Sequence, residues 1–324
     1  MKKKIFANSF LKIGDVNTIW AYPNYAGLIF TADQVNTPLL TMIGGLNGGR
    51  TTVNFEFPTA SLYTHSAATQ PALTENESVT GVAKTHAART QEKNVTQIFM
   101  RAVQASYVKM SNPGRLSGIN TAGAQNNVPS ELDFQKMVKL QEIARDVNYM
   151  MHNGAYQIST DADTANKSRG MFAEIVLGGS TVNAAGAKLS KTLIDYLLRT
   201  MYAAGARFQN VVIFCNAFQK QQISNIYGYA PQDRNVGGVN IKQIETDFGN
   251  IGIQLDAMVP AANVGFYEMA YLAPVFQPVP GKGNLFYEEL ARTGASESGQ
   301  IFGQIGLDHG PGFLNGSITN LATS

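Results

Sequence analysis

One stretch of the sequence decides the fold: Ser130-Glu-Leu-Asp-Phe-Gln-Lys-Met-Val-Lys-Leu-Gln-Glu-Ile-Ala-Arg-Asp-Val-Asn-Tyr-Met-Met-His-Asn-Gly154. Ser130 is a suitable N-cap, Asp133 completes an acidic variant of the capping box, and Gly154 suits the C-terminal end. Apolar side chains recur at three- and four-residue steps and so share one face: Phe134, Met137, Leu140, Ala144, Val147 and Met151. The pattern predicts a helix over residues 131–153. At 1.5 Å per residue it spans about 35 Å, long for a helix in a small α/β domain.

A long polar segment precedes this helix. Residues 51–57 alternate between polar and apolar side chains and predict a strand that ends at Pro58. Residues 59–80 have the composition of a loop, and residues 82–98 return as an extended, mostly polar run. The two limbs predict a long hairpin. Because an isolated two-stranded hairpin is marginally stable in water, it needs a partner surface on its own chain or on another.

The rest of the chain predicts an N-terminal arm and a compact α/β unit. Residues 1–50 are rich in glycine and proline and show weak periodicity, which indicates an extended arm. Ser190 and Asn216 suit the caps of two helices that flank an apolar strand. Further strands are predicted at 240–246, 251–255, 264–276, 285–290 and 300–307, followed by a glycine-rich tail.

The composition favours a protein whose surfaces are covered by other chains. Charged residues make up 15% of the 324 residues, against roughly 25% in typical soluble domains. The net charge of +2 makes no general case for nucleic-acid binding. No stretch approaches 18 continuous apolar residues, so we expect no membrane span.

Sequence patterns that carry chemistry are weak. The run Gly44-Gly-Leu-Asn-Gly-Gly-Arg-Thr51 is close to a phosphate-binding loop. However, Arg50 replaces the lysine, and a strand rather than a helix is predicted to follow. The four histidines show no metal-ligand spacing, and Cys215 lies in an apolar run typical of a buried thiol. We therefore expect no catalytic residue, no metal site and no cofactor, and a hinge at Gly44–Gly49.

The order of these parts resembles the Hong Kong 97-type capsid fold, an α+β architecture. Local motifs are similar to those of one branch of tailed-bacteriophage major capsid proteins: Asn94 to Ser106, Leu140 to Asp146, Ala165 to Met171 and Asn210 to Asn216. The resemblance covers roughly residues 30–310 and consists of hydrophobic pattern and small motifs.

The resemblance implies five parts. They are an N-terminal arm (1–50), an E-loop hairpin (51–99), a peripheral domain (100–189) with its spine helix (131–153), an apical domain (190–262), and peripheral strands with a C-terminal segment (263–324). The hairpin would contact a neighbouring subunit through Val53, Phe55, Phe57, Leu62 and Tyr63. The apolar face of the spine helix would pack on the peripheral strands of its own subunit.

By the same resemblance, the subunit would form hexamers and pentamers of an icosahedral shell around double-stranded DNA. Lys2, Lys3 and Lys4 could face that DNA without sequence specificity. Portal, scaffold and decoration proteins would be further partners, and assembly would take place in the host cytoplasm. Some relatives crosslink a lysine of the E-loop, but no matching triad can be named here. Two alternatives stay open: an encapsulin-like nanocompartment shell, and a nucleotide-binding enzyme that uses Gly44–Thr51.

Overall fold

The computed structural model describes residues 31, 33–110, 131–227, 232–236, 239–292 and 294–324. These residues form two compact units. The first contains the described residues of Met1–Thr37, Ile98–Asn148 and Pro278–Gln304, and the second contains those of Pro38–Gln97, Tyr149–Gln277 and Ile305–Ser324. The predicted N-cap Ser130 and the lysines at positions 2–4 lie outside the described residues.

Helices and strands alternate irregularly along the described chain, as expected for an α+β fold. The helices are α1 (Pro38–Met42), α2 (Glu75–Thr80), α3 (Tyr107–Met110), α4 (Glu131–Asn153), α5 (Met171–Gly178), α6 (Lys191–Ala203) and α7 (Ala217–Tyr227). The strands are β1 (Arg50–Thr51), β2 (Glu56–Tyr63), β3 (Arg89–Val95), β4 (Gln97–Ser106), β5 (Ser180–Asn183), β6 (Val211–Cys215), β7 (Gln232–Val236), β8 (Val239–Thr246), β9 (Gly249–Leu255), β10 (Val264–Glu268), β11 (Ala273–Phe276), β12 (Leu285–Glu289), β13 (Ser296–Asp308) and β14 (Gly316–Thr319). None of the described helices combines the length and the apolar character that a membrane crossing requires.

The second unit is built on a seven-stranded sheet in the order β5-β14-β10-β6-β9-β8-β7. The pairs β6–β9 and β5–β14 are parallel, and the other neighbours are antiparallel. Every residue of β6 is buried, the pattern of a strand covered on both faces. The predicted caps are confirmed, since Ser190 Oγ accepts from Leu193 N and Asn216 Oδ1 accepts from Gln219 N.

The α/β sheet is larger than the sequence predicts. The predicted strand 264–276 is wrong as one element, because a 3₁₀ turn at Met269–Tyr271 divides it. Its first half, β10, pairs with β6 and β14, and its second half, β11, pairs with the end of β13. A continuous apolar run has no periodicity that could reveal this break. The glycine-rich tail supplies β14, which joins this sheet although it lies outside residues 190–262, the predicted bounds of the α/β unit.

The first unit contains β4, β12, most of β13 and most of α4. β12 pairs with residues 299–303 of β13 in an antiparallel hairpin, as predicted. Helix α4 has the bounds that the sequence predicts. Arg101 of β4 forms ion pairs with Asp146 and Glu142 of this helix, and Lys136 lies 4.1 Å from the ring centre of Tyr287. The helix is therefore held to its strands through polar as well as apolar contacts.

Candidate functional site

A hairpin arm, residues 52–97, is the most exposed feature of the second unit. Its ribbon pairs β2 with β3 from Glu56↔Val95 to Tyr63↔Arg89, and a shift of register lies between Pro58 and Ala60. Every residue from Tyr63 to Gln91 is exposed. Helix α2 lies within this exposed part, and its start carries a complete capping box between Thr74 and Glu77.

The predicted strand over residues 51–57 is wrong as one element, because Thr51 ends β1, residues 52–55 form no strand, and Glu56 begins β2. The hydroxyl of Thr52 accepts from Asn54 N and donates to Asn54 O, which forms a local turn that interrupts the strand. Pro58 does not end the strand but lies inside β2, where the shifted register of a two-stranded ribbon tolerates the missing N–H.

The predicted contact residues of the arm fall into two groups. Val53 and Tyr63 are 92% and 62% exposed, Phe55 is also exposed, and Leu62 is half-buried. Phe57 is only 5% exposed, and its ring contacts the backbone position of Gly306 in the same subunit. Phe57 therefore anchors the arm to its own chain and is not available to a neighbour.

The predicted face of helix α4 is confirmed only in part. Val147 and Met151 are fully buried, whereas Met137 and Leu140 are 44% and 40% exposed. Phe134 and Ala144 are half-buried. The structure also buries Ile143 and Met150, which the predicted face omits. Packing is thus concentrated in the C-terminal half of the helix.

Asn94 fastens the base of the arm. Its side chain is fully buried, and Nδ2 donates to the carbonyl oxygens of Arg169 and Leu307 at 3.0 and 2.7 Å. Oδ1 accepts from Val95 N and Arg169 N at 2.9 and 2.8 Å. Thr96 adds a hydrogen bond of 2.8 Å to Gln277. Both donors and both acceptor sites of one amide are used, so few other side chains could replace it.

The loop that receives Asn94 is shaped by a pair of glycines. Gly170 N donates to Gly154 O at 2.8 Å. A Cβ on Gly154 would lie 2.3 Å from the carbonyl oxygen of Ser168, and one on Gly170 would lie 2.5 Å from Gly154 N. Gly154 is thus required for space after α4, in addition to the helix-ending role that the sequence predicts.

A buried chain of hydrogen bonds lies at the end of α4. His152 Nε2 is 3.0 Å from Asp256 Oδ2, and His152 Nδ1 is 3.2 Å from Tyr267 Oη. Burial raises the pKa of Tyr267 well above its usual value, and the charge of Asp256 adds to the effect. The neutral phenol can therefore donate to Nδ1 while Nε2–H donates to the carboxylate. The sequence signals none of this, because the three residues are far apart in the chain.

A second polar cluster, the Glu92–Glu174–His309 cluster, lies at the base of the arm. His309 Nε2 is 3.3 Å from Glu174 Oε2, and Arg169 Nη1 donates to the same oxygen at 2.8 Å. Burial raises the pKa of Glu92, and the charge of Glu174 raises it further. Burial also lowers the pKa of His309, against the opposing charge of Glu174.

The candidate nucleotide loop does not have the required geometry. Residues 44–49 connect α1 to strand β1, so the loop does not open a helix. A Cβ on Gly49 would lie 2.3 Å from Pro274 O, which shows that this turn is packed against β11. Arg50 forms an ion pair with the buried carboxylate of Asp308. Whether the loop acts as a hinge stays a prediction.

Cys215 is fully buried, as its apolar surroundings predict. Burial raises the pKa of its thiol to about 12, so it is not an activated nucleophile. His65 and His86 are both exposed.

Comparison with known proteins gives the chain its context. A family model described as SU10 major capsid protein matches residues 7–322. No curated protein matches the chain.

Among solved structures, the capsid of cyanophage A-1(L) is similar with a TM-score of 0.62 and 12% identity, covering 94% of this chain and 97% of that chain. The capsid of a native GTA particle has a TM-score of 0.58 and 12% identity, with 93% and 95% covered. The holo-SrpI encapsulin complex from Synechococcus elongatus PCC 7942 has a TM-score of 0.56 and 8% identity, with 92% and 94% covered.

These structures show that the fold is the Hong Kong 97-like fold expected from the sequence. The encapsulin and the phage capsids share it, so the fold alone does not separate the two kinds of shell. The family match does separate them, because the matching family is one of major capsid proteins and its model covers residues 7–322. The chain belongs to the SU10 major capsid protein family and is a structural component of the capsid of a tailed bacteriophage.

Proposed function

We propose that this capsid protein assembles into hexamers and pentamers of an icosahedral shell around double-stranded DNA, and that the hairpin arm makes the contact with the neighbouring subunit. One observation carries the proposal: the run of exposed residues from Tyr63 to Gln91. A segment of this length without one buried residue in its own chain gains little stability from folding alone. A second copy of the chain, present at high density in a shell, is the partner that can cover it.

The exposed part of the arm carries apolar side chains that suit such a contact. Leu73, Val79 and Val82 are all exposed, Val79 to 83%. Helix α2 buries none of its residues within the subunit. Fully burying one aliphatic side chain contributes about 1.5–3 kcal/mol before the costs of association. Because every copy in a closed shell makes the same contact, modest energies add up over the particle.

We assign the arm as the E-loop and α4 as the spine helix of the capsid fold. The α/β unit of residues 190–262, enlarged by β5, β10 and β14, corresponds to the apical domain, which would meet its copies around a local symmetry axis. The strands β4, β12 and β13 correspond to the peripheral domain. The role is structural and requires no catalytic residue or cofactor.

Other partners follow from the proposed shell. Lys2, Lys3 and Lys4 would contact packaged DNA through its phosphates, without sequence preference. Portal, scaffold and decoration proteins would act with this chain, which would assemble in the host cytoplasm before it becomes part of the virion.

The arm can be tested by substitution at three exposed positions. Leu73→Asn, Val79→Asn and Val82→Asn together remove three exposed apolar side chains of the arm without touching a buried residue. We expect soluble subunits that no longer form shells in negative-stain electron microscopy. The matched control combines Leu73→Met, Val79→Ile and Val82→Ile, which keep the apolar area and should still give shells.

A truncation gives a second test. Residues 64–88 can be replaced by Asn-Gly, which suits a two-residue turn between the last ribbon pair, Tyr63 and Arg89. The subunit should stay folded by circular dichroism and fail to assemble. Normal shells from both the truncated chain and the triple Asn variant would refute the proposed role of the arm.

A further inference from the structure

The Glu92–Glu174–His309 cluster brings three metal-binding side chains together from distant parts of the chain. Glu92 lies in β3, Glu174 in α5, and His309 directly follows β13. One ligand atom from each residue lies within 4.8 Å of the other two. We propose that these three residues bind a divalent transition-metal ion of the zinc class at the base of the hairpin arm.

The ligand atoms are buried without hydrogen bonds. Among the residues that the structure describes, Glu92 Oε2, Glu174 Oε1 and His309 Nε2 are all buried side-chain atoms that lack a hydrogen-bond partner. Glu174 and His309 are almost completely shielded from solvent. A buried polar atom left unpaired destabilises a fold, so three at one place call for an explanation. One cation bound by all three atoms would satisfy them together.

The hydrogen bond of His309 defines its tautomer. Nδ1 lies 2.8 Å from the carbonyl oxygen of Gly310, which can only accept, so Nδ1 carries the proton. In the neutral ring, Nε2 then presents its lone pair toward the Glu174 carboxylate. A lone pair beside a carboxylate oxygen is unfavourable unless a proton or a metal ion lies between them. In metal-binding histidines, the ring nitrogen that does not bind the ion usually donates its N–H to a carbonyl or carboxylate group, as Nδ1 does here.

The distances and the surrounding backbone leave room for an ion. Two ligands of a tetrahedral ion with bonds of about 2.0–2.1 Å lie about 3.3 Å apart. His309 Nε2 lies 3.3 Å from Glu174 Oε2, the oxygen that accepts from Arg169, and Oε1 of the same carboxylate is the unpaired oxygen. Two glycines let the backbone approach. A Cβ on Gly312 would lie 2.7 Å from Glu174 Oε1, and one on Gly178 would lie 3.4 Å from Glu174 Oε1 and 3.5 Å from Glu92 Oε1.

The charges and ligand types indicate the class of ion. Arg169 offsets the charge of one carboxylate through its contact with Glu174, and the second carboxylate, Glu92, still attracts a cation. One imidazole with two carboxylates suits Zn²⁺ and its first-row neighbours, whereas Mg²⁺ and Ca²⁺ prefer oxygen ligands alone. An ion here would tie β3 of the arm to α5 and to the C-terminal segment, a structural role independent of the proposed contact between subunits.

The test is metal binding by the full-length purified protein. A chelator first removes any bound metal, Zn²⁺ is then added, and dialysis removes the unbound ions. We expect about one Zn²⁺ per subunit by elemental analysis. The melting temperature should be higher with Zn²⁺ than with the same concentration of Mg²⁺. Co²⁺ in place of Zn²⁺ should give visible absorption bands of a tetrahedral site that includes nitrogen.

Variants locate the site. Glu92→Gln is nearly isosteric and lies at the partly exposed side of the cluster, so the fold should survive; Zn²⁺ binding should weaken at least tenfold. Glu56→Gln, on the partner strand of the same ribbon, is the matched control and should bind like the unmodified chain. His309→Ala should abolish the Co²⁺ spectrum.

Two results would overturn the proposal. One is no Zn²⁺ retained and no melting shift, which would mean that a proton rather than a metal ion lies between the carboxylates. The other is binding that survives Glu92→Gln but is lost in a His65→Ala, His86→Ala double variant, which would assign the ion to the exposed histidines of the arm.

Discussion

Replacing Asn94 with alanine should destabilise the subunit more than any other single polar substitution at the base of the arm. The side chain makes four hydrogen bonds of 2.7–3.0 Å, two donated to carbonyl oxygens and two accepted from N–H groups. Alanine leaves all four backbone partners in a site that is closed to solvent. At about 1 kcal/mol for each lost bond, the free energy of unfolding should fall by about 4 kcal/mol.

The assay is urea unfolding of the unassembled subunit, followed by far-ultraviolet circular dichroism. With a denaturant dependence of about 3 kcal/mol per molar, a loss of 4 kcal/mol lowers the urea midpoint by about 1.3 M. The control is Asn76→Ala, the same exchange at an exposed position of the arm, which should change the midpoint little. A decrease below about 0.3 M for Asn94→Ala would show that this amide does not fasten the arm.

Three further outcomes are expected. Cys215 has a thiol pKa of about 12, so only about one molecule in ten thousand should carry the thiolate at pH 8. The thiol should therefore resist iodoacetamide until the protein is unfolded. Alkylation of the native protein would contradict the burial of this residue. Gly154→Ala places a methyl group 2.3 Å from a carbonyl oxygen and should lower the free energy of unfolding by about 3 kcal/mol. The control is Gly178→Ala, whose methyl group meets its neighbours at ordinary contact distances and should be nearly neutral in the metal-free protein. Similar urea midpoints for the two variants would refute this. Arg50→Ala should lower the melting temperature, because it leaves Asp308 buried without its ion pair. ATP should bind neither the unmodified protein nor this variant in a titration. Saturable ATP binding that is lost in the variant would restore the nucleotide-enzyme alternative.

Elements with strong local signals could be predicted from the sequence. Helix α4 has its predicted bounds because a regular apolar period and good terminal residues agree over 23 residues. The caps at Ser190 and Asn216 and the buried strand β6 follow from the same kind of local consistency. The face of α4 was predicted less well, because the pattern of apolar residues does not tell which half of a long helix is covered.

The hairpin arm shows where local patterns mislead. Alternation at Val53, Phe55 and Phe57 predicts a strand, yet the hydroxyl of Thr52 forms a turn that breaks it. The capping box of α2 at Thr74 was readable from the sequence, but the surrounding polar composition favoured a loop. Competition between side-chain and ladder hydrogen bonds decides such cases, and spacing alone does not show which of them forms.

The polar clusters could not have been found by spacing. His152 and Asp256 are 104 positions apart, and Glu92, Glu174 and His309 are spread over most of the chain. Their meeting depends on how β3, α5 and the end of β13 are arranged, which is a property of the whole unit. For the same reason, Asn94 is indistinguishable in sequence from the many other asparagines of this chain.

Cryo-electron microscopy of the assembled particle tests the central claim most directly. At a resolution that shows side chains, Leu73, Val79 and Val82 should be buried against a neighbouring copy of the chain, and the exposed run from Tyr63 to Gln91 should lose most of its accessible surface. A shell in which these residues face solvent, with subunits joined through other surfaces, would contradict the assignment of the hairpin arm as the contact that builds the capsid.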